Sequence, residues 1–145
     1  MTALYEDRFI SATLVDHPRA LRRVVRVVRS PEAYSTMLDL ERSYAPLYAA
    51  FAKLERDQLA LLIDFRLVTP RNDPEFEATV VHHRARMVAG FHRVGVLVRS
   101  AVGKLQIIRH VREDGMSVLV SDNESELLDA IARDILPSRL PPPGR

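Results

Sequence analysis

The stretch that most constrains this chain is Leu59 to Phe76, LALLIDFRLVTPRNDPEF, where an unbroken apolar run passes through a polar loop into a helix start. Leu59 to Ile63 is short, apolar throughout and β-branched at its end, the pattern of a strand buried on both faces by covering helices. It ends in Asp64 and Arg66. The loop Leu67 to Asn72 then leads to Asp73-Pro74-Glu75. There Asp73 suits a helix N-cap, Pro74 the first helical position and Glu75 the positive end of the helix dipole. A strand end, a polar loop and a helix start in direct succession make this the first place to look for a functional surface.

The rest of the chain supplies the partners such a strand needs. Phe9 to Val15 and Leu21 to Arg29 are rich in β-formers and flank His17-Pro18-Arg19-Ala20, so an N-terminal hairpin is expected. Arg22, Arg23, Arg26 and Arg29 divide between the two faces of the second strand. That breaks the alternation and suggests an edge or a strand end, where charge discourages unwanted pairing. A basic nucleic-acid ribbon is the alternative, but no aromatic residue interleaves the arginines to stack on bases. Ser30-Pro31-Glu32 has the form of a second N-cap and first turn, with Tyr34, Met37, Leu38 and Glu41 following at helical spacing. Pro46 should break or kink that helix, leaving Leu47 to Glu55 as a separate helical piece with Leu47, Tyr48, Phe51 and Leu54 on one stripe.

After the central loop, Phe76, Val80, His83, Met87 and Phe91 recur at helical spacing, predicting a helix from Pro74 to about Phe91 with Gly90 near its end. Val94 to Val98 is another all-apolar run. It leads through Ser100 into a helix carrying Leu105, Ile108 and Val111, which Gly115 can terminate. Met116 to Val120 is the next strand. Ser121-Asp122-Asn123-Glu124 reads as a capping box for a last helix with Leu127, Leu128, Ile131 and Ile135. Pro137 ends it, and SRLPPPGR has nothing to bury and is expected to be a disordered tail. The expectation is one α/β domain over residues 1–136, with a mixed, mostly parallel sheet, an N-terminal hairpin and helices packed on it, followed by a tail over 137–145. At 145 residues and 47% hydrophobic composition, the chain is long enough to fill one core and leaves little for a second.

Ligand-competent positions in such a sheet lie where parallel strands end at their carboxyl termini: Asp64 to Asp73, Arg99 to Gly103 and Ser121 to Asn123. Asp64 suits a general base, or an acceptor for loop amides and for Arg66 or Arg71. Gly103-Lys104 at a helix start suits an anion, although a single glycine and lysine fall short of a phosphate cradle. His82-His83 lacks the i+4 partner that a compact metal set on one helix face would need. No nucleophile motif, dinucleotide fingerprint or phosphate loop is present, so an enzyme, a metal or a cofactor is not expected. The absence of cysteine removes thiolate chemistry and disulfides. The apolar runs fall short of the roughly 20 residues of a membrane helix, and MTALYEDRF lacks the basic region and apolar core of a signal peptide. A soluble, cytoplasmic protein is expected.

With this order of elements, the chain resembles the STAS family, the fold of bacterial anti-sigma factor antagonists, itself similar to the SEC14 fold. The likeness spans about Phe9 to Leu136. Its centre is LLIDFRLVTPRNDPEFE, an apolar strand ending in Asp64, a loop and a helix start. Where the family places Asp-Ser-Ser or Asp-Ser-Thr with a phosphorylated serine, this chain has Asn72-Asp73-Pro74, so no hydroxyl stands at the phosphoacceptor position. The resemblance implies a non-enzymatic regulatory module that docks a signalling protein, kinase-like or other, through Asp64, Arg66, Arg71, Asn72, Asp73 and Glu75, with no specific nucleic acid among its partners. Asp73 then either mimics a phosphorylated state with a permanent charge or serves simply as a helix cap. The other functional expectation is a lipid or nucleotide carrier or sensor using the strand-end crevice near Asp64, Ser100, Gly103 and Lys104.

Overall fold

The computed structural model describes residues 1–16, 23–68, 74–100, 102, 104–105, 108 and 118–132, without the side chains of Glu75 and Glu77. Six strands form one sheet in sequential order: β1 (Thr2–Glu6), β2 (Ile10–Val15), β3 (Val24–Arg29), β4 (Ala60–Asp64), β5 (Arg93–Leu97) and β6 (Leu119–Ser121). The pairs β1–β2 and β2–β3 are antiparallel, whereas β3 to β6 run parallel. The mixed sheet with its N-terminal hairpin is therefore as expected. β1 is an additional strand that joins the hairpin through a register shift between Ala3 and Tyr5.

Helices α1 (Met37–Phe51) and α2 (Pro74–Val88) cover one face of the sheet, and α3 (Glu124–Ala132) packs on the other. The period of two along each strand decides which residues meet which helix. Ile10, Ala12, Leu14, Val25, Val27, Leu61, Ile63, Val94 and Val96 join Leu40, Leu47, Phe51 and Met87 in the larger core. Val24, Ala60, Leu62 and Leu97 join Leu127 and Ile131 in the smaller one. All five residues of β4 are buried, because helices lie on both of its faces. Gly95 of β5 lets α3 approach closely: a Cβ there would stand 2.7 Å from Cδ1 of Leu127.

Four local expectations are corrected. First, α1 begins six residues after Pro31, at Met37, and its cap is Thr36, whose hydroxyl accepts the Asp39 amide at 3.0 Å. Ser30 instead accepts the Glu32 amide at 3.2 Å and donates to the Arg8 carbonyl at 2.7 Å. The extended link that follows puts Tyr34 against Phe9, with ring centroids 4.3 Å apart. Second, Pro46 lies inside an unbroken α1. Pro46 is exposed, so the carbonyl that lacks its usual amide donor can turn to water, while Leu40, Tyr44, Leu47 and Phe51 hold the buried stripe against the sheet. Third, β3 is an interior strand flanked by β2 and β4. Its arginines do point to opposite faces, but each has an internal contact, described below. Fourth, Asn123 rather than Ser121 caps α3, accepting the Glu126 amide at 3.0 Å. Ser121 ends β6 and its hydroxyl accepts the Asn123 amide.

Helix α2 ends at Val88, ahead of Gly90 with its φ of 86°, and Phe91 packs edge-on against Phe51 beyond the helix. Among the described residues no helix is long and apolar enough to cross a membrane. The expected tail at 137–145, together with Val111, Gly115, Met116 and Ile135, lies outside the described residues.

Candidate functional site

The carboxyl ends of β3, β4 and β5 lie side by side, with Val28 opposite Asp64 and Asp64 opposite Leu97. Asp64 occupies the last position of β4 on the α3 side and is only 5% exposed. Oδ1 accepts the Arg66 amide at 3.0 Å and Arg66 Nε at 3.1 Å, while Oδ2 accepts Arg66 Nη2 at 2.8 Å and Arg26 Nη2 at 3.1 Å. Arg26 reaches this point from the middle of the neighbouring strand.

Glu124, the first residue of α3, closes the set. Its carboxylate accepts Arg26 Nη1 at 3.1 Å, Arg26 Nη2 at 3.2 Å and Arg66 Nη2 at 2.9 Å. Two guanidinium groups and two carboxylates thus balance in charge and tie β3, the loop after β4 and the amino end of α3 together. Burial alone would raise the Asp64 pKa, but hydrogen bonds from Arg66 and the charges of Arg66 and Arg26 outweigh it and hold the group below its ordinary value. Asp64 is therefore a carboxylate whose acceptor positions are taken, which suits a structural anchor better than a general base.

Several exposed apolar side chains stand on segments that follow the parallel strands. Leu67 follows β4 and is 53% exposed; Val102 and Leu105 follow β5 and are 68% and 69% exposed. Leu38, in the first turn of the helix that follows β3, is 54% exposed. Among the described residues the remaining large exposed apolar side chain is Met1. Four of these five therefore stand on segments that leave the carboxyl ends of adjacent parallel strands.

The expected site residues are distributed as follows. Asp64 and Arg66 are brought together at the anchor. Glu75 lies in the first turn of α2, while Arg71, Asn72 and Asp73 lie outside the described residues. Ser100 is exposed and its carbonyl accepts the Lys104 amide at 2.9 Å, which places both at the helix start after β5. Gly103 lies outside the described residues. Sequence reasoning did not find Arg26 and Glu124. An arginine in an otherwise apolar strand was the available signal for the first; nothing local marked the second.

A further polar cluster sits between α1 and α2. His83 is buried, with Nδ1 2.6 Å from the Tyr48 hydroxyl and Nε2 2.9 Å from the Glu41 carboxylate. The Tyr48 hydroxyl also approaches the His83 carbonyl at 2.8 Å, and the Tyr44 ring stacks on the imidazole at 5.1 Å. Nε2 thus faces Glu41 and Nδ1 faces Tyr48, whose one hydroxyl proton goes to the His83 carbonyl. Burial pushes the Tyr48 phenol well above its ordinary pKa, so it stays a neutral donor. The cluster clamps two helices and supplies no activated nucleophile.

No protein-family model matches the sequence, and no curated protein matches it. The fold, however, has a clear likeness. A protein from Shewanella loihica of the DUF3478 family, described as uncharacterised and as having a SpoIIAA-like fold, superposes with a TM-score of 0.65 over 86% of this chain and 94% of its own. This chain has a SpoIIAA-like, or STAS-like, fold. At 12% identity the likeness is one of architecture. Strand β4 ends at Asp64 and helix α2 begins at Pro74, the strand end and helix start on which the resemblance rests.

Proposed function

We propose that this chain is a non-enzymatic regulatory module that docks a signalling protein, kinase-like or other, at the carboxyl edge of its parallel strands. The observation that carries the reading is that Leu38, Leu67, Val102 and Leu105 are all exposed and stand on the segments that follow β3, β4 and β5 in the chain. Isolated exposed apolar residues are ordinary, but several along one edge are the raw material of a binding surface. The Asp64, Arg66, Arg26 and Glu124 network supports it by fixing the root of the Leu67 loop, which lowers the conformational cost of docking. On this reading Arg66, Arg71, Asn72, Asp73 and Glu75 supply polar contacts to the partner, and Asp64 holds Arg66 in place.

The test is capture of partners from the native cell by wild-type protein and by Leu67→Glu. Wild type should retain a specific protein that Leu67→Glu loses, with thermal stability unchanged because Leu67 is half exposed. Equal recovery by both proteins would refute the docking surface. A purified sample carrying stoichiometric lipid or nucleotide and no protein would favour the carrier instead.

A further inference from the structure

His83 of α2 is buried against α1, and three short polar contacts meet there. Nε2 lies 2.9 Å from Oε1 of Glu41, Nδ1 lies 2.6 Å from the Tyr48 hydroxyl, and that hydroxyl lies 2.8 Å from the His83 carbonyl. Glu41 and Tyr48 both belong to α1, as does Tyr44, whose ring stacks on the imidazole.

Three contacts need three protons. Each joins two atoms that carry lone pairs, so each requires one proton between them. A carbonyl and an ionised carboxylate bring none. Burial keeps the Tyr48 phenol protonated, and its single proton goes to the carbonyl. The imidazole must therefore supply two, one from each ring nitrogen, and a neutral imidazole has only one. With Nε2–H directed at Glu41, a neutral ring would leave Nδ1 against the Tyr48 oxygen with no proton between them. Taking the Tyr48 proton instead would leave that oxygen bare against the carbonyl.

The surroundings favour the extra proton. Burial opposes a charge on the ring, and so does the Arg86 guanidinium, 4.5 Å from the centre of the Tyr48 ring. The His82 ring lies edge-on at 5.7 Å, while Arg29, Arg84 and Asp7 act on the neighbouring Tyr44. The core beneath contains Leu47, Phe51 and Met87, which are apolar. Against the opposing terms stand the Glu41 carboxylate in direct contact, the Tyr48 oxygen and the stacked Tyr44 ring, three groups that prefer an imidazolium. The Glu41 side chain is 53% exposed, so its carboxylate meets His83 while remaining solvated on its outer side.

We propose that His83 is held as an imidazolium by Glu41 and forms a proton-dependent latch between α1 and α2. These helices follow the adjacent parallel strands β3 and β4, so the latch joins the segments that leave two neighbouring strands. It stands independently of the docking reading. An ordinary histidine titrates near pH 6.5, at about the point where the unfolded chain releases its proton. A folded chain that keeps the proton beyond that point gains stability that is complete in mild acid and is lost as pH rises.

The experiment counts the ring protons of His83 on the full chain by nitrogen–proton correlation at about pH 7.5, where an ordinary histidine is about nine-tenths neutral. Two protonated ring nitrogens are expected in the wild type. Glu41→Gln keeps a carbonyl acceptor for Nε2–H and removes the charge at an exposed position, so it should fold and show one ring proton at the same pH. Between about pH 6 and about pH 9 the melting temperature of the wild type should fall relative to that of Glu41→Gln. A single ring proton in the wild type, or two in both proteins, would overturn the latch. So would a difference in melting temperature between the two that stays constant over that range.

Discussion

Replacing Asp64 by asparagine isolates the charge at the anchor, because the two side chains share shape and the Oδ1 acceptor can be retained. The Arg66 amide and Nε keep their partner on that side, whereas Arg66 Nη2 and Arg26 Nη2 then meet an amide NH2 in place of Oδ2. Each lost charge-assisted contact is worth about 1.5–3 kcal/mol. The Arg66 side chain is 41% exposed and both arginines keep Glu124, so water and that carboxylate recover part of the loss. The net destabilisation at neutral pH should be about 2–3 kcal/mol, read by urea denaturation followed by circular dichroism.

The pH dependence supplies the sharper check. The folded pKa of Asp64 is depressed below its unfolded value, so its contribution is complete above the unfolded value of about 3.9 and is lost as pH falls through the folded one. Protonated Asp64 resembles the asparagine variant in charge, and the other carboxylates titrate in both proteins and cancel in the difference. The stability gap should therefore shrink as pH falls below about 4. A gap below about 0.5 kcal/mol at neutral pH, or one that persists undiminished in acid, would refute the reasoning.

Other substitutions test separate features of the same fold. Gly95→Ala should destabilise by about 1–3 kcal/mol through overpacking, because its Cβ would stand 2.7 Å from Leu127 Cδ1 and 3.2 Å from Ile131 Cγ2; an unchanged urea midpoint would count against the close approach of α3. Pro46→Ala restores a helical amide at an exposed position of α1 and should stabilise by about 1–3 kcal/mol; a lower melting temperature would mean that the proline has a packing role. Tyr48→Phe removes the hydroxyl that meets His83 Nδ1 and the His83 carbonyl, and should lower stability by about 1–2 kcal/mol in the same urea assay. Asp73→Asn keeps the capping group without the charge, so partner affinity that falls while melting temperature holds would favour the charge-mimic reading, and equal affinity would favour the plain cap.

The strands of this protein are legible in its sequence because burial on both faces leaves a local record. The run that becomes β4 is apolar at successive positions, and the run that becomes β5 is nearly so; only helices on both sides of a sheet can cover such segments. The order of strands and helices then restricts the topology to a parallel set beside a hairpin, and the STAS-like likeness follows from that order. The edge strand β1 left a fainter record, since its residues are exposed or only partly buried and its place depends on pairing with β2.

What the chain alone did not decide are the contacts between residues far apart along it. Arg26 and Glu124 are 98 positions apart, and the arginine that looked suited to an edge is tolerated inside the sheet because folding brings that carboxylate and Asp64 to it. His83 looked like a core position; its partners Glu41 and Tyr48 come from another helix 42 and 35 residues away. Pro46 looked like a helix breaker, and the packed stripe of Leu40, Tyr44, Leu47 and Phe51 keeps the helix continuous around it. Propensity and periodicity act over a turn or a strand, whereas burial and charge compensation are settled only when distant segments meet, and at each of these positions the distant contact prevailed over the local preference.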